Sequence, residues 1–315
     1  MILFLDWDKT ITSSDTTHLI CSSFSYNLNN PEDQEKKLSN QVKYLNYRRI
    51  YEHFLIKQEK KLNQIKDLNN ELNDYLKSFE KIEELIRSLI KSDKFFDSAN
   101  FLINLNSNLV KFQIGWNEFV NWIKKIKNNQ DSQIESNLIE EVHIISCSWS
   151  ENFIRSSLSD DFLSSLTSIR ANEIQIDRSQ IIKSPNCQEP NGIRTGIDKL
   201  NEINRILSQD QPKQQDKTHP SSVYIGDSET DLACFLNVEI PIVFGPKPRK
   251  NPNHSHCNLE RPMITLTQER LNCLAGCRSE DSGTSTKRIL PHFCLIILLS
   301  KPRKLMAAIP FFFNA

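Results

Sequence analysis

The sequence predicts an α/β fold, a doubly wound parallel sheet with an inserted all-helical cap domain. Three observations lead to this prediction. Short apolar runs typical of buried strands stand at the start of the chain and again after residue 140. The stretch from about 30 to 140 is helical in character and holds one glycine and one proline. After 140, strand-like runs alternate with helical stretches, which indicates a parallel sheet.

The strands are predicted from uninterrupted apolar runs that end at polar or turn-forming residues. The first run covers residues 1–5 and stops at Asp6. Later runs predict strands within 142–145, 169–176, 222–225 and 240–244. Because parallel strands are buried on both faces, continuous apolar runs of this kind favour a parallel sheet over an antiparallel one.

The long segment after the first strand is predicted to form amphipathic helices. Across 55–90, apolar residues recur at three- and four-residue steps, and Lys, Glu, Asn and Gln fill the positions between them. A coiled-coil partner is the alternative, whereas Trp116, Phe119 and Trp122 favour a packed bundle. We therefore predict a discontinuous core at 1–25 and 140–270, a helical cap at 26–139, and a tail at 275–315 without a clean apolar period.

Composition narrows the range of partners and compartments. Lys plus Arg (39) balances Asp plus Glu (39), so no global charge attracts nucleic acid or an anionic membrane. Eight cysteines in 315 residues do not form the dense framework of a small secreted domain. Asp6 and Asp8 interrupt the first apolar run before signal-peptide length, and no apolar run reaches the ~20 residues of a spanning helix. A cytoplasmic protein is predicted, with the nucleus as a second compartment, and not a secreted one.

Polar residues follow the predicted strands at the points where those strands end. Asp6 and Asp8 come after the first strand, and Ser146 ends the second. Asp227 and Asp231 follow the strand near 225. Because the carboxyl ends of parallel strands meet at one rim of the sheet, we expect these side chains to lie close together.

These residues resemble the motifs of the haloacid dehalogenase-like hydrolase superfamily, in its phosphatase branch. The resemblance covers about 1–25 and 140–245, and the segment Ala171-Asn172-Glu173 is similar to the phosphoserine-phosphatase-like subgroup. Lys9 is a departure, because hydrolases of this family often have glycine there. The matched motif residues are Asp6, Asp8 and Thr10 for DxDx[T/V], Ser146 for the strand-end serine, Lys199 for the lysine, and Gly226, Asp227 and Asp231 for GDxxxD.

The resemblance implies a Rossmann-like core and a Mg²⁺-dependent phosphatase acting on a small phosphorylated metabolite. Asp6 would attack phosphorus to give an aspartyl-phosphate, and Asp8 would serve as general acid and base. The phosphate-binding residues would be Thr10, Ser146 and Lys199. The Mg²⁺ ligands would be Asp6, the backbone carbonyl of Asp8, and Asp227, with Asp231 acting directly or through water. A phosphotransferase, carbon–phosphorus cleavage, and a non-catalytic protein that binds partners through its helical insert are the alternatives.

Purely structural interpretations stand beside these assignments. The aspartates could cap helices, Lys199 could be a solvated helix lysine, and Ser148 or Ser150 could replace Ser146. A zinc site is not predicted, because the spacing of the candidate ligands departs from CxxC. Those candidates are His254, His256, Cys257, Cys273 and Cys277. The sequence does not identify the substrate or the oligomeric state.

Overall fold

The computed structural model describes residues 1–23, 29–62, 68–96, 107–127, 139–209, 221–244 and 296–297. The predicted tail lies outside these residues apart from 296–297, as do the five residues rejected as zinc ligands. The strands are β1 (Ile2–Leu5), β2 (Glu141–Ile145), β3 (Ser168–Arg170), β4 (Asn172–Gln175), β5 (Gln180–Lys183), β6 (Ser222–Gly226), β7 (Ile240–Val243) and β8 (Ile296–Ile297).

The main sheet has the strand order β3-β2-β1-β6-β7-β8. Its first five strands run parallel, and β8 pairs antiparallel with β7. The predicted parallel sheet is therefore confirmed. The helices are α1 (Thr17–Ser22), α2 (Pro31–Leu62), α3 (Leu68–Ser92), α4 (Trp116–Lys127), α5 (Glu151–Ser157), α6 (Asp160–Leu163), α7 (Gly196–Gln209) and α8 (Leu232–Phe235).

The two faces of β1 enter two separate apolar layers, as expected of a doubly wound fold. Leu3 and Leu5 belong to a large cluster that also contains α3, α4 and α5 residues such as Ile86. Ile2 and Phe4 belong to a second cluster with side chains of α7 and α8. Successive strand residues point to opposite faces, so helices cover the sheet on both sides.

Helices α1 to α4 lie between β1 and β2 in the chain, where the sequence predicts a helical insert. α2 packs against α3, and Tyr75 and Phe79 of α3 form a buried cluster with Leu232 of α8. The helical insert thus contacts the core directly beside Asp231. Its boundaries as a domain, 26 and 139, remain a prediction.

The region 169–176, predicted to contain one strand, divides between two sheets. β3 ends the main sheet at Arg170, and β4 pairs antiparallel with β5 in a separate hairpin. The chain leaves the main sheet at Asn172, whose buried side-chain amide donates to the carbonyl oxygens of Ser148 at 2.9 Å and Ile193 at 2.7 Å. In the part of the chain that the structure describes, no helix has the length and apolar character needed to cross a membrane.

Candidate active site

The carboxyl ends of β1, β2 and β6 form one rim. Leu5 is in register with Ile144 on one side and Ile225 on the other. The backbone N–H of Asp6 donates to the carbonyl of Ile225 at 2.9 Å, which extends this pairing by one residue. The rim therefore carries the residues that follow these strands, as the sequence predicts for a parallel sheet.

Three predicted aspartates come together at this rim. One carboxylate oxygen from each of Asp6, Asp227 and Asp231 lies within 4.8 Å of the other two. The carboxylate of Asp227 accepts only a long hydrogen bond among the described residues, 3.5 Å from Thr10 Oγ1. Thr10 is buried and also comes from the loop after β1. Sequence positions that are more than 200 residues apart thus meet in one cluster.

Lys199 is the only buried lysine in the part of the chain that the structure describes, at 1% exposure. Its ammonium donates to Asp6 Oδ1 at 2.7 Å and to Asp231 Oδ1 at 2.6 Å. Burial acts to lower the pKa of Lys199, but the charges of Asp231 and Asp6 outweigh it and hold the pKa well above the usual range. The alternative that Lys199 is a solvated helix lysine is therefore wrong.

Asp231 is saturated by protein donors. Its Oδ1 accepts from Lys199 and from the hydroxyl of Tyr224 at 2.6 Å. Its Oδ2 accepts from the backbone N–H groups of Asp227 at 3.0 Å and Ser228 at 3.1 Å. Asp231 stands at the N-cap position of α8 but makes no side-chain capping bond, so the helix-capping alternative fails for this residue. Its bonds shape the loop that presents Asp227.

Gly226 is required by the close approach of Asp231. A Cβ at Gly226 would lie 2.6 Å from Asp231 Oδ2 and 2.9 Å from its Cβ. Contacts this short force one of the two groups to move. The glycine of the GDxxxD pattern therefore has a packing role in this chain.

The electrostatics of the cluster favour a bound cation. Burial, followed by the charge of Asp231, raises the pKa of Asp6 to about 7 although Lys199 acts to lower it. Burial and the charges of Asp231 and Asp6 also raise the pKa of Asp227. Three carboxylates face a single ammonium, which leaves an excess of negative charge in a buried place. Oxygen ligands with this charge suit Mg²⁺, so the residues present fit that ion.

Asp8 lies outside the carboxylate cluster and has its own environment. Its Oδ1 accepts from both the N–H and the Oγ1 of Thr16, each at 2.7 Å, and Trp7 Nε1 donates to the same Oγ1 at 3.0 Å. Burial and then the charge of Asp15 raise the pKa of Asp8 to about 8. A carboxyl that keeps its proton near neutral pH is suited to general acid catalysis. Thr16 has no motif, and sequence reasoning missed it.

Lys9 stands where the resembling hydrolases often have glycine, and its backbone shows why. Its φ is 60°, in the left-handed region that favours glycine. Its N–H donates to Thr12 Oγ1 at 3.1 Å, and its carbonyl accepts from Gln113 Nε2 at 2.6 Å. These bonds hold the turn between Asp8 and Thr10 in a conformation that lysine rarely adopts.

The serine loop after β2 separates the three candidate serines. Ser150 is used structurally, because its Oγ accepts from Phe153 N as the cap of α5 and donates to Glu173. Ser146 Oγ accepts from the N–H of Ser148 at 3.0 Å. Ser148 Oγ is buried without a hydrogen-bond partner among the described residues. Ser146 and Ser148 thus both remain candidates for contact with phosphate.

Asn172 and Arg87 connect the serine loop to the helical insert, and sequence reasoning assigned neither to the site. Asn172 Nδ2 donates to the carbonyls of this loop, and its Oδ1 accepts from Arg87 of α3 at 3.3 Å. Burial raises the pKa of Glu83, one turn before Arg87, to about 7. The charge of Glu83 also acts on Cys147, next to Ser146. The insert therefore brings two ionisable side chains to the edge of the site.

No protein-family model matches the chain. A CTO1 family protein of Schizosaccharomyces pombe is 25% identical over 254 residues, covering 77% of this chain and 81% of that protein. A solved structure described as a phospho-aspartyl intermediate analogue of phosphoserine phosphatase has 15% identity and a TM-score of 0.40, covering 76% of this chain and 84% of its own. The putative HAD-hydrolase YfnB from Bacillus subtilis, bound to magnesium, has 14% identity and a TM-score of 0.29, covering 74% and 82%.

The fold assignment rests on the strand order and strand directions of this chain. The solved structures it matches include hydrolases of the superfamily that the sequence motifs resemble. In the order of its motifs and in its α/β fold, the chain is similar to the haloacid dehalogenase-like hydrolases.

Proposed function

We propose that the protein is a phosphatase that hydrolyses a small phosphomonoester with Mg²⁺ as its cofactor. One observation carries the proposal. Asp6, Asp227 and Asp231 lie within 4.8 Å of one another, and a buried lysine is bonded to two of them. An ordinary strand-end turn has no need of three carboxylates and an ammonium in one buried cluster, and burying them is costly.

In the first step, a carboxylate oxygen of Asp6 attacks phosphorus and the bond to the leaving oxygen breaks. Asp8 donates its proton to that oxygen, as its raised pKa permits. In the second step, water attacks the aspartyl-phosphate, Asp8 accepts a proton from the water, and the bond between Asp6 and phosphorus breaks. Splitting the reaction in this way replaces one difficult step by two easier ones.

Asp6 must be ionised to attack. Lys199 favours the ionised form through its 2.7 Å bond and also fixes the orientation of the carboxylate. Held by Asp6, Asp227 and the backbone carbonyl of Asp8, Mg²⁺ would supply further positive charge next to the phosphoryl oxygens. Thr10 and Ser146, or Ser148 in its place, would donate hydrogen bonds to the same oxygens.

The helical insert supports a small substrate. Its helix α3 contacts Leu232 beside Asp231 and reaches the serine loop through Arg87 and Asn172. A cap that lies at the rim and closes over it excludes water and large substrates. We place such a phosphatase in the cytoplasm, acting on a small phosphorylated metabolite.

The test is phosphate release from a panel of phosphorylated metabolites in Mg²⁺, comparing the wild type with Asp6→Asn. Asparagine keeps the shape of the side chain but loses the nucleophile. The matched control is Asp74→Asn, an exposed aspartate on α3. We expect release by the wild type and by Asp74→Asn, and none by Asp6→Asn. Equal release by all three proteins, or none by any of them, would refute the proposal.

A phosphotransferase would share the first step and differ only in the second. An alcohol would then attack the aspartyl-phosphate in place of water. Adding candidate alcohols to the same assay and measuring the new phosphoester against free phosphate separates the two functions.

A further inference from the structure

Helix α2 has two apolar faces, and the structure covers only one of them. Tyr47 and Leu55 are buried at 4% and 9% exposure, and Tyr47 donates to the Asp93 carboxylate at 2.7 Å. On another face, four large apolar side chains are at least half exposed. They are Leu38 at 63%, Val42 at 50%, Leu45 at 51% and Ile56 at 54%. We call these four residues the outer stripe.

The outer stripe has the spacing of a helix–helix contact. Leu38, Val42 and Leu45 are four and then three residues apart, and the same alternation continues through Arg49 and Glu52 to Ile56. A repeat of 3.5 residues is the signature of helices that pack side by side. With 3.6 residues per turn, Leu38 and Tyr47 lie on opposite sides of α2. The stripe therefore faces away from the core that buries Tyr47.

We propose that the outer stripe binds the outer stripe of a second copy of this chain, with the two α2 helices antiparallel. The charges of α2 support this occupant. Glu32 and Asp33 lie in its first turn, and Lys60 and Lys61 lie in its last turn. An antiparallel pair brings the acidic start of one helix beside the basic end of the other, whereas a parallel pair opposes like charges.

The stripe is symmetric enough to form such a two-fold contact. In an antiparallel pair centred near residue 47, Leu38 lies opposite the partner's Ile56, and Ile56 lies opposite the partner's Leu38. A surface that binds itself in this way gives a closed dimer and no further growth. Arg49 packs its aliphatic stem against the partner's Leu45 and keeps its charged end in water.

The contact is short, and this sets the expected affinity. From Leu38 to Ile56 the stripe is about 27 Å long at 1.5 Å per residue. Protein interfaces below about 1,200 Å² are typical of weak complexes. We therefore expect a reversible dimer with a dissociation constant in the range of about 1–100 µM. None of the candidate active-site residues lies on α2, so dimer formation leaves the site unchanged.

The first test measures the mass of the full chain by sedimentation over a concentration series. The wild type should move from 36.6 kDa towards twice that mass as its concentration rises. Leu45→Glu, at an exposed position, should keep its fold by circular dichroism and stay at the monomer mass. The matched control is Leu85→Glu, which alters another exposed apolar residue, at 46%, on α3 and should dimerise like the wild type. A wild-type chain that stays monomeric at about 0.5 mM overturns the proposal.

A second test reads the orientation of the two helices. A short bismaleimide should link the double variant Leu38→Cys/Ile56→Cys into dimers, well above the background from the natural cysteines of the wild type. Each single variant should stay at that background, because like positions lie about 27 Å apart in an antiparallel pair. Efficient linking of Leu38→Cys alone would show a parallel pair and overturn the antiparallel arrangement.

Discussion

Removing the charge of Lys199 should destabilise the protein far more than removing a surface charge. Lys199→Met keeps the aliphatic stem and deletes an ammonium that is 1% exposed and bonded at 2.7 Å to Asp6 and 2.6 Å to Asp231. Removing one partner of a buried ion pair costs about 3–5 kcal/mol, because the other charge stays buried without compensation. We expect a loss in this range at pH 7.5 in a chelating buffer, where no cation replaces the ammonium.

The size of the effect is measured by urea unfolding in a double-mutant cycle. Trp7 is fully buried, so its fluorescence can follow the transition. Asp231→Asn alone should also destabilise. In the double variant Lys199→Met/Asp231→Asn, the amide at position 231 carries no charge that needs an ammonium, so the two losses should fall short of additive by about 1–3 kcal/mol.

The control is Lys77→Met on the exposed face of α3, which should cost less than about 1 kcal/mol. A loss for Lys199→Met no larger than for Lys77→Met would refute the reasoning. Strictly additive losses in the cycle would show that the bond between Lys199 and Asp231 does not contribute to stability.

Three further predictions concern single residues. Asp8→Asn should retain the fold, because an amide oxygen can still accept from Thr16, but kcat for phosphate release should fall about 10²–10⁴-fold; an unchanged kcat would remove Asp8 from the mechanism. Gly226→Ala should cost about 1–3 kcal/mol in urea unfolding and lower kcat, because the new methyl group would meet Asp231 at 2.6 Å; wild-type stability would show that the loop absorbs it freely. The pKa of Glu83, about 7 against an ordinary 4.5, means that the folded state holds this proton more tightly than the unfolded chain. Its contribution to stability is therefore full below about pH 4.5 and is lost as pH rises through 7, so Glu83→Gln should flatten the pH dependence by about 1–2 kcal/mol after solvent screening. Urea unfolding at pH 5 and pH 8 measures this, and parallel curves for the two proteins would contradict it.

The central strands could be predicted because their signal is local. β1, β2 and β6 are continuous apolar runs, and each ends at a polar residue or a Gly-Asp pair. The start of β3 at Ser168 has no such run, since Ser-Ile-Arg places one apolar residue between two polar ones. Its place in the sheet depends on pairing with β2, which no local pattern reveals.

The candidate site could be predicted in part for the same reason. Asp6, Asp227 and Asp231 follow strands and belong to recognisable motifs, and the structure brings them together. Thr16 bonds Asp8 from a loop position without a motif, and Tyr224 reaches Asp231 from within a strand that reads as ordinary core. These partners are fixed by tertiary packing, so spacing along the chain carries no trace of them.

The central position of β1 has a consequence for the order of events during synthesis. β1 leaves the ribosome first, yet Ile2 pairs only with Glu141 and Ser222, and Lys199 and Asp231 follow later still. Pairings this distant in sequence make folding slow, because long loops must close before their contacts are gained. The earliest residues of the chain therefore wait, unpaired, for the last ones of the core. A nascent chain that stops before residue 231 would expose an apolar strand and would have no assembled site, which makes it a natural target for chaperones.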